Sequence, residues 1–219
     1  MHEMKKPWVV PVSILVLTFT YAVVRYNIIK GTPWTDLPLF VSNKAISLSA
    51  VMCIALSYML GSLARFWPNI FAGTLQLRKS LGLTGFGLAS LHTVMSLLLF
   101  TPAYYPAFFA ESGKLSLVGN LSMLFGVLAF FVFTFVAIAS APGVEATLKR
   151  DQWLTLQRIG YLGLILVLAH VGYMGFSGWL KPEGWPGGLL PISLITVIII
   201  MFTLLLKATA LMFPQQRKP

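Results

Sequence analysis

Apolar residues along this chain fall into six long runs separated by short polar stretches. The runs cover roughly residues 8–24, 45–64, 81–100, 117–141, 154–179 and 189–213, and none contains Asp or Glu. The hydrocarbon core of a bilayer takes ~20 apolar residues per helix, so each run predicts a membrane-spanning helix. The period-two alternation of a transmembrane β-barrel is absent. The predicted fold class is therefore an all-α membrane protein, a six-transmembrane-helix bundle. The connecting loops are short, so residues 1–219 are expected to form one transmembrane domain. The first run is long for a signal-peptide core and no small-x-small cleavage site follows it, so it is expected to remain as a span.

Composition sharpens this picture. The chain is 57% apolar and 10% charged, against about 25% charged residues in a soluble domain. Too few polar groups are available to cover a water-exposed surface, which excludes a soluble enzyme, a disordered chain and a disulfide scaffold. The single cysteine, Cys53, lies inside an apolar run and has no partner for an internal disulfide. The net charge of +10 sits between apolar runs, which fits lipid headgroups and insertion topology and not nucleic acid. Eleven of the sixteen Lys and Arg residues fall on the N-terminal side of the membrane: Lys5, Lys6, Arg65, Arg78, Lys79, Lys149, Arg150, Arg158, Lys207, Arg217 and Lys218. The other side carries Arg25, Lys30, Lys44, Lys114 and Lys181. This bias predicts that both termini face the cytoplasm. The glycine-rich stretch Gly82-Leu-Thr-Gly85-Phe-Gly87 lies inside the third run, not between a strand and a helix, and is no nucleotide fingerprint. No P-loop and no appended flavin or nicotinamide domain is visible.

Two histidines carry the chemistry. His2 is terminal and expected to be solvated, whereas His92 and His170 lie in the third and fifth runs. An ionisable side chain at membrane depth is costly and usually has a partner and a role. The two spans run in the same direction. At 1.5 Å per residue the histidines lie ~16 and ~24 Å beyond the inner ends, at comparable heights. Their contexts match: Gly82-x-x-Gly85-x6-His92 and Gly160-x-x-Gly163-x6-His170. Seven residues is nearly two helical turns, so Gly85 and Gly163 share a face with their histidines. Such a helix offers an imidazole and, two turns below it, a slot into which a flat macrocycle edge would fit. Two of them facing each other would hold a haem iron between two imidazole nitrogens. Two other readings stand beside this one. Glycine and histidine also serve plain helix packing and hydrogen bonding in membranes. Met95 and Met174, one turn from the histidines, would suit a copper site, although methionine is also an ordinary filler of apolar interiors.

The same residues resemble the ferric reductase-like transmembrane domain family, whose members include MsrQ/YedZ-like haem b membrane subunits. The third run, Leu77-Arg78-Lys79-Ser80-Leu81-Gly82-Leu83 leading to Leu91-His92, is similar to the basic pair, Leu-Gly-Leu and Leu-His of bacterial members. The fifth, Trp153-Leu-Thr-Leu156-Gln157-Arg158-Ile-Gly-Tyr161-Leu before His170, resembles their Trp-x-x-Leu-His-Arg-x-x-Tyr-Leu segment. The resemblance implies a haem b cytochrome that passes electrons through a bacterial inner (plasma) membrane, with His92 and His170 as axial ligands of the outer haem. It also implies a difference. Gln157 stands where the family has its other fifth-span histidine, and Lys79, not histidine, stands thirteen residues before His92. One haem is therefore expected, not two.

Further polar residues suggest the ends of the electron path. Arg78, Lys79 and Arg158 are expected to anchor at headgroups or to dock an acidic flavoprotein donor or a quinone, with Gln157 as a quinone hydrogen-bonding group. Tyr104, Tyr105, Trp179 and Trp185 read as an interfacial aromatic belt that would also border an outer acceptor, whether a metal complex or an oxidoreductase partner. Lys114 and Lys181 are expected on the propionate side of the haem. Asn120 and Ser122 read as helix–helix contacts, and Lys207 as a snorkelling lysine. With one haem, a purely cytosolic donor would face a long gap, which favours quinol. The expected function is an electron-transfer subunit. The alternative is a membrane protein without haem, either a non-redox assembly subunit or a small transporter.

Overall fold

With almost no water available to the backbone, every N–H and C=O inside a bilayer must be satisfied within its own segment, and this chain does so with helices. The computed structural model describes residues 8–213. His2, Lys5, Lys6, Arg217 and Lys218 lie outside the described residues. Six helices among the described residues are long and apolar enough to cross a membrane, one for each apolar run. They are α1 (Val9–Val23), α2 (Ser42–Phe66), α3 (Leu77–Leu98), α4 (Leu117–Ala139), α5 (Arg150–Trp179) and α6 (Ile192–Met212).

The helices extend past the apolar runs where polar residues were expected to be loop. A π-helical stretch, Val24–Ile29, prolongs α1. Another, Leu37–Val41, leads into α2, so Asn43 and Lys44 lie on a helix and not in the preceding loop. Likewise α3 starts at Leu77 and carries Arg78 and Lys79 in its first turn. Local capping marks two starts. Ser116 Oγ accepts from the Gly119 amide at the head of α4 (3.1 Å). At the head of α5, Gln152 Oε1 accepts from the Lys149 amide (3.0 Å).

The bundle is built around α2, the most enclosed span. It packs against α1, α3 and α6, while α4 packs chiefly on α5 and α5 on α6. Helices α3 and α5 have no extensive contact with each other, which leaves room between them. Ile54 and Tyr58 of α2, Phe133 of α4, Leu164 of α5 and Ile200 of α6 form one buried cluster across the bundle. Large apolar side chains such as Leu124, Phe135, Phe202 and Leu205 are exposed. On a soluble protein such a surface would be an association site; around a six-helix bundle it meets lipid. Arg65 Nη2 donates to the Phe213 carbonyl (3.5 Å), so the ends of α2 and α6 lie at one end of the bundle.

Candidate functional site

The room between α3 and α5 is a cavity of about 450 Å³, within the ~300–1,000 Å³ typical of small-molecule sites. His92 and His170 both line it, along with Lys44, Met174 and mostly apolar side chains from α2, α4 and α6. The two histidines singled out by sequence are thus brought to one space.

Each imidazole is held by its Nδ1. Asn43 of α2 donates from Nδ2 to Ser96 Oγ (3.0 Å) and Tyr105 OH (3.3 Å). Its Oδ1 therefore faces His92 Nδ1 at 2.7 Å as an acceptor. His170 Nδ1 lies 2.7 Å from the Ser122 carbonyl on α4. A carbonyl can only accept, so Nδ1 carries the proton there. Ser122 Oγ in turn donates to the His170 carbonyl (3.1 Å). With Nδ1–H committed in both rings, the lone pair is left on Nε2. That is the arrangement that orients a metal-ligating histidine: one nitrogen hydrogen-bonded to an outer group, the other free to coordinate. Gly126 of α4 makes it sterically allowed, because a Cβ there would lie 2.9 Å from His170 Nδ1.

The matched glycines do share a face with their histidines, but a neighbouring helix, not a slot, covers that face. A Cβ on Gly85 would meet Ile54 Cγ1 at 2.6 Å, and one on Gly163 would meet Phe133 Cζ at 2.7 Å. Gly82 lies against Ser57, and Gly160 lies under the Tyr58 hydroxyl, which donates to the Gln157 carbonyl (3.0 Å). All four glycines bring helices together. The expected space for a macrocycle edge at these positions is filled by side chains, because the face turned toward α2 and α4 is the packed one. Of the two methionines, Met174 lines the cavity while Met95 is buried elsewhere, so the thioethers do not converge with the histidines as a copper site needs.

Ile54 and Phe133 line a second space as well, about 300 Å³, toward the other end of the bundle. Gln157 and Lys79, the two departures from the family's histidine positions, both line it. Gln157 Nε2 donates to Ser140 Oγ (2.9 Å), and Arg78 Nε donates to the Ser57 carbonyl (3.0 Å). Lys79 pairs with Glu145 at its rim. Trp153 also lines this space, and its indole N–H is buried with no acceptor among the described residues.

Other expectations resolve one by one. Ser122 is a helix–helix contact, whereas Asn120 turns back to the Ser116 carbonyl (3.1 Å). Lys114 and Lys181 are exposed and do not line the histidine cavity. Lys207 lies over the Tyr161 ring (5.5 Å). Tyr104 donates to Asp36 Oδ1 (3.2 Å), and that carboxylate holds its phenol above the ordinary range. Burial raises Tyr105 likewise, so both keep their protons at neutral pH. Sequence reasoning missed Asn43, Gly126 and Lys44 as site residues.

Six spans with two cavities between them, one lined by two histidines each hydrogen-bonded to a neighbouring helix, define a multi-pass membrane protein. The model of the ferric reductase like transmembrane component family matches residues 46–168, more than half of the chain, and the protein belongs to that family. It is similar to human Metalloreductase STEAP2, 25% identical over 89% of this chain and 47% of the relative. Mouse Metalloreductase STEAP2 is 24% identical over the same shares. The chain spans about half the length of the curated relatives it matches. Family membership implies a redox cofactor in general terms.

Proposed function

We propose that the described residues form a membrane b-type cytochrome domain holding one haem between His92 and His170, and that it carries electrons from one side of the bilayer to an acceptor on the other. The observation that carries this is the pair of imidazoles lining one cavity with Nδ1 of each spent on a neighbouring helix. A haem held there by His92 and His170 would supply one-electron transfer. The chain's own residues do the rest. Asn43 and the Ser122 carbonyl fix ring orientation and tautomer, and the apolar walls exclude water and tune the potential.

The second cavity supports the donor end. Trp153, Gln157 and two basic residues line it and suit the two ring oxygens of a quinol, with a separate flavoprotein as the other donor. The acceptor is a ferric complex or a partner oxidoreductase beyond the outer cavity. The basic bias supports termini on the cytoplasmic side, and the motif type supports a bacterial inner membrane.

Purified protein tests the reading directly. A pyridine haemochrome assay should give one haem per chain, with a Soret band that shifts on dithionite. His92→Ala and His170→Ala should each abolish that band while the protein still inserts. Normal absorption in both variants would overturn the ligand assignment, and a colourless wild-type protein would favour a non-redox assembly subunit.

A further inference from the structure

The outer cavity carries a charge without a counter-charge. Lys44 is the one charged residue among the described residues lining it, and no Asp or Glu lines it. The Lys44 ammonium lies 5.1 Å from the Phe40 ring centroid and 4.9 Å from that of Tyr105. The one ion pair among the described residues joins Lys79 to Glu145, at the second cavity. Ring contacts alone are a weak counterpart for a cation taken out of water in a membrane protein. The neighbourhood adds to the imbalance. Arg25 and Lys30 lie 5.0 and 5.8 Å from the ring of Tyr26, which lines the same cavity. Meanwhile Lys44 follows directly on Asn43, the side chain that orients His92. A space with one unpaired cation beside two ligating imidazoles calls for a ligand that brings a negative group to that spot.

We propose that Lys44 is the carboxylate anchor of the outer cavity, pairing with a carboxylate of the group that fills the space beside His92 and His170. This rests on the haem reading above, in which that carboxylate is a haem propionate. A carboxylate chelate of ferric iron, entering as acceptor, offers the same chemistry from a second source.

Lys44→Met and Lys44→Arg in the full haem-bearing chain separate these cases. Haem release is followed by transfer to apomyoglobin, and acceptor use by steady-state reduction of ferric citrate. If the partner is a propionate, Lys44→Met keeps its bis-imidazole absorption but releases haem ~10-fold faster or more. Its midpoint potential shifts negative, because the lost cation had favoured the reduced iron. Lys44→Arg restores both. Reconstitution with haem dimethyl ester, which has no carboxylates, removes the difference between wild type and Lys44→Met. If the partner is the chelate, haem release is unchanged while KM for ferric citrate rises ~10-fold at constant kcat. Unchanged haem release together with unchanged KM overturns the proposal. A wild-type protein that binds no haem overturns the haem reading and this proposal with it, whereas a haem-bearing wild type with an unaffected Lys44→Met overturns this proposal alone.

Discussion

Asn43 decides how His92 is presented. Its side chain is 0% exposed, and its amide hydrogens go to Ser96 and Tyr105, which leaves only an acceptor toward the imidazole. Asn43→Ala removes that acceptor and lets the ring turn. Loss of such an outer partner typically costs 10–100-fold in affinity for the bound metal group, so haem titration of the apoprotein should show a weakening of about that size. Asn43→Asp should instead keep haem and shift its midpoint potential negative, since a carboxylate makes the imidazole more basic and favours the oxidised iron. Equal affinity and equal potential in all three proteins would show that His92 needs no such support. The histidines were legible in the sequence because an ionisable group in an apolar run is expensive. Asn43 was not, because it sits at the edge of a run, where an amide reads as loop. The partner of His170 could not be read at all, because it is a backbone carbonyl, and every residue has one.

At the scale of helices, glycines at three positions separate packing from ligation. Gly126 clears the His170 ring, while Gly85 and Gly163 admit Ile54 and Phe133. Gly126→Ala should therefore push the imidazole off the Ser122 carbonyl and cut haem content, with a smaller effect on melting. Gly163→Ala should do the reverse. Overpacking against the Phe133 ring costs about 1–3 kcal/mol, read as a lower midpoint of thermal unfolding in detergent, while haem content per folded protein stays near wild type. Comparable losses of haem in the two variants would contradict the division of roles. The Gly-x6-His spacing was readable, and so was the shared face. What a linear pattern lacks is the rotational setting of each helix. That setting turns the glycine face of α3 toward α2 and of α5 toward α4, so the face packs instead of standing open. The helix ends were misjudged for a related reason. Backbone hydrogen bonding inside a membrane carries α2 back through Lys44 and Asn43 whatever their polarity.

Over the whole molecule, the two cavities share Ile54 and Phe133 as a common wall, so in the proposed electron path the donor and acceptor ends meet across these two side chains. Six runs of apolar residues were enough to read the bundle. The second cavity was not visible as a space: Arg78, on α3, read as a headgroup anchor or donor dock and Gln157, on α5, as a quinone hydrogen-bonding group, but nothing linear brought the two helices together there or gave Trp153 a place beside them. Among them Trp153 carries a buried indole N–H with no acceptor among the described residues, a donor whose desolvation is uncompensated. Trp153→Phe keeps the ring and deletes that donor. If a quinol docks there, a short-chain ubiquinol should reduce the haem about 3–10-fold more slowly in the variant, the kinetic equivalent of one neutral hydrogen bond. The absorption spectrum and the rate of dithionite reduction should stay as in wild type, since neither depends on that cavity. A quinol rate equal to wild type would remove this cavity from the donor path, and reduction by a soluble flavoprotein in quinone-free vesicles would then become the reading to pursue.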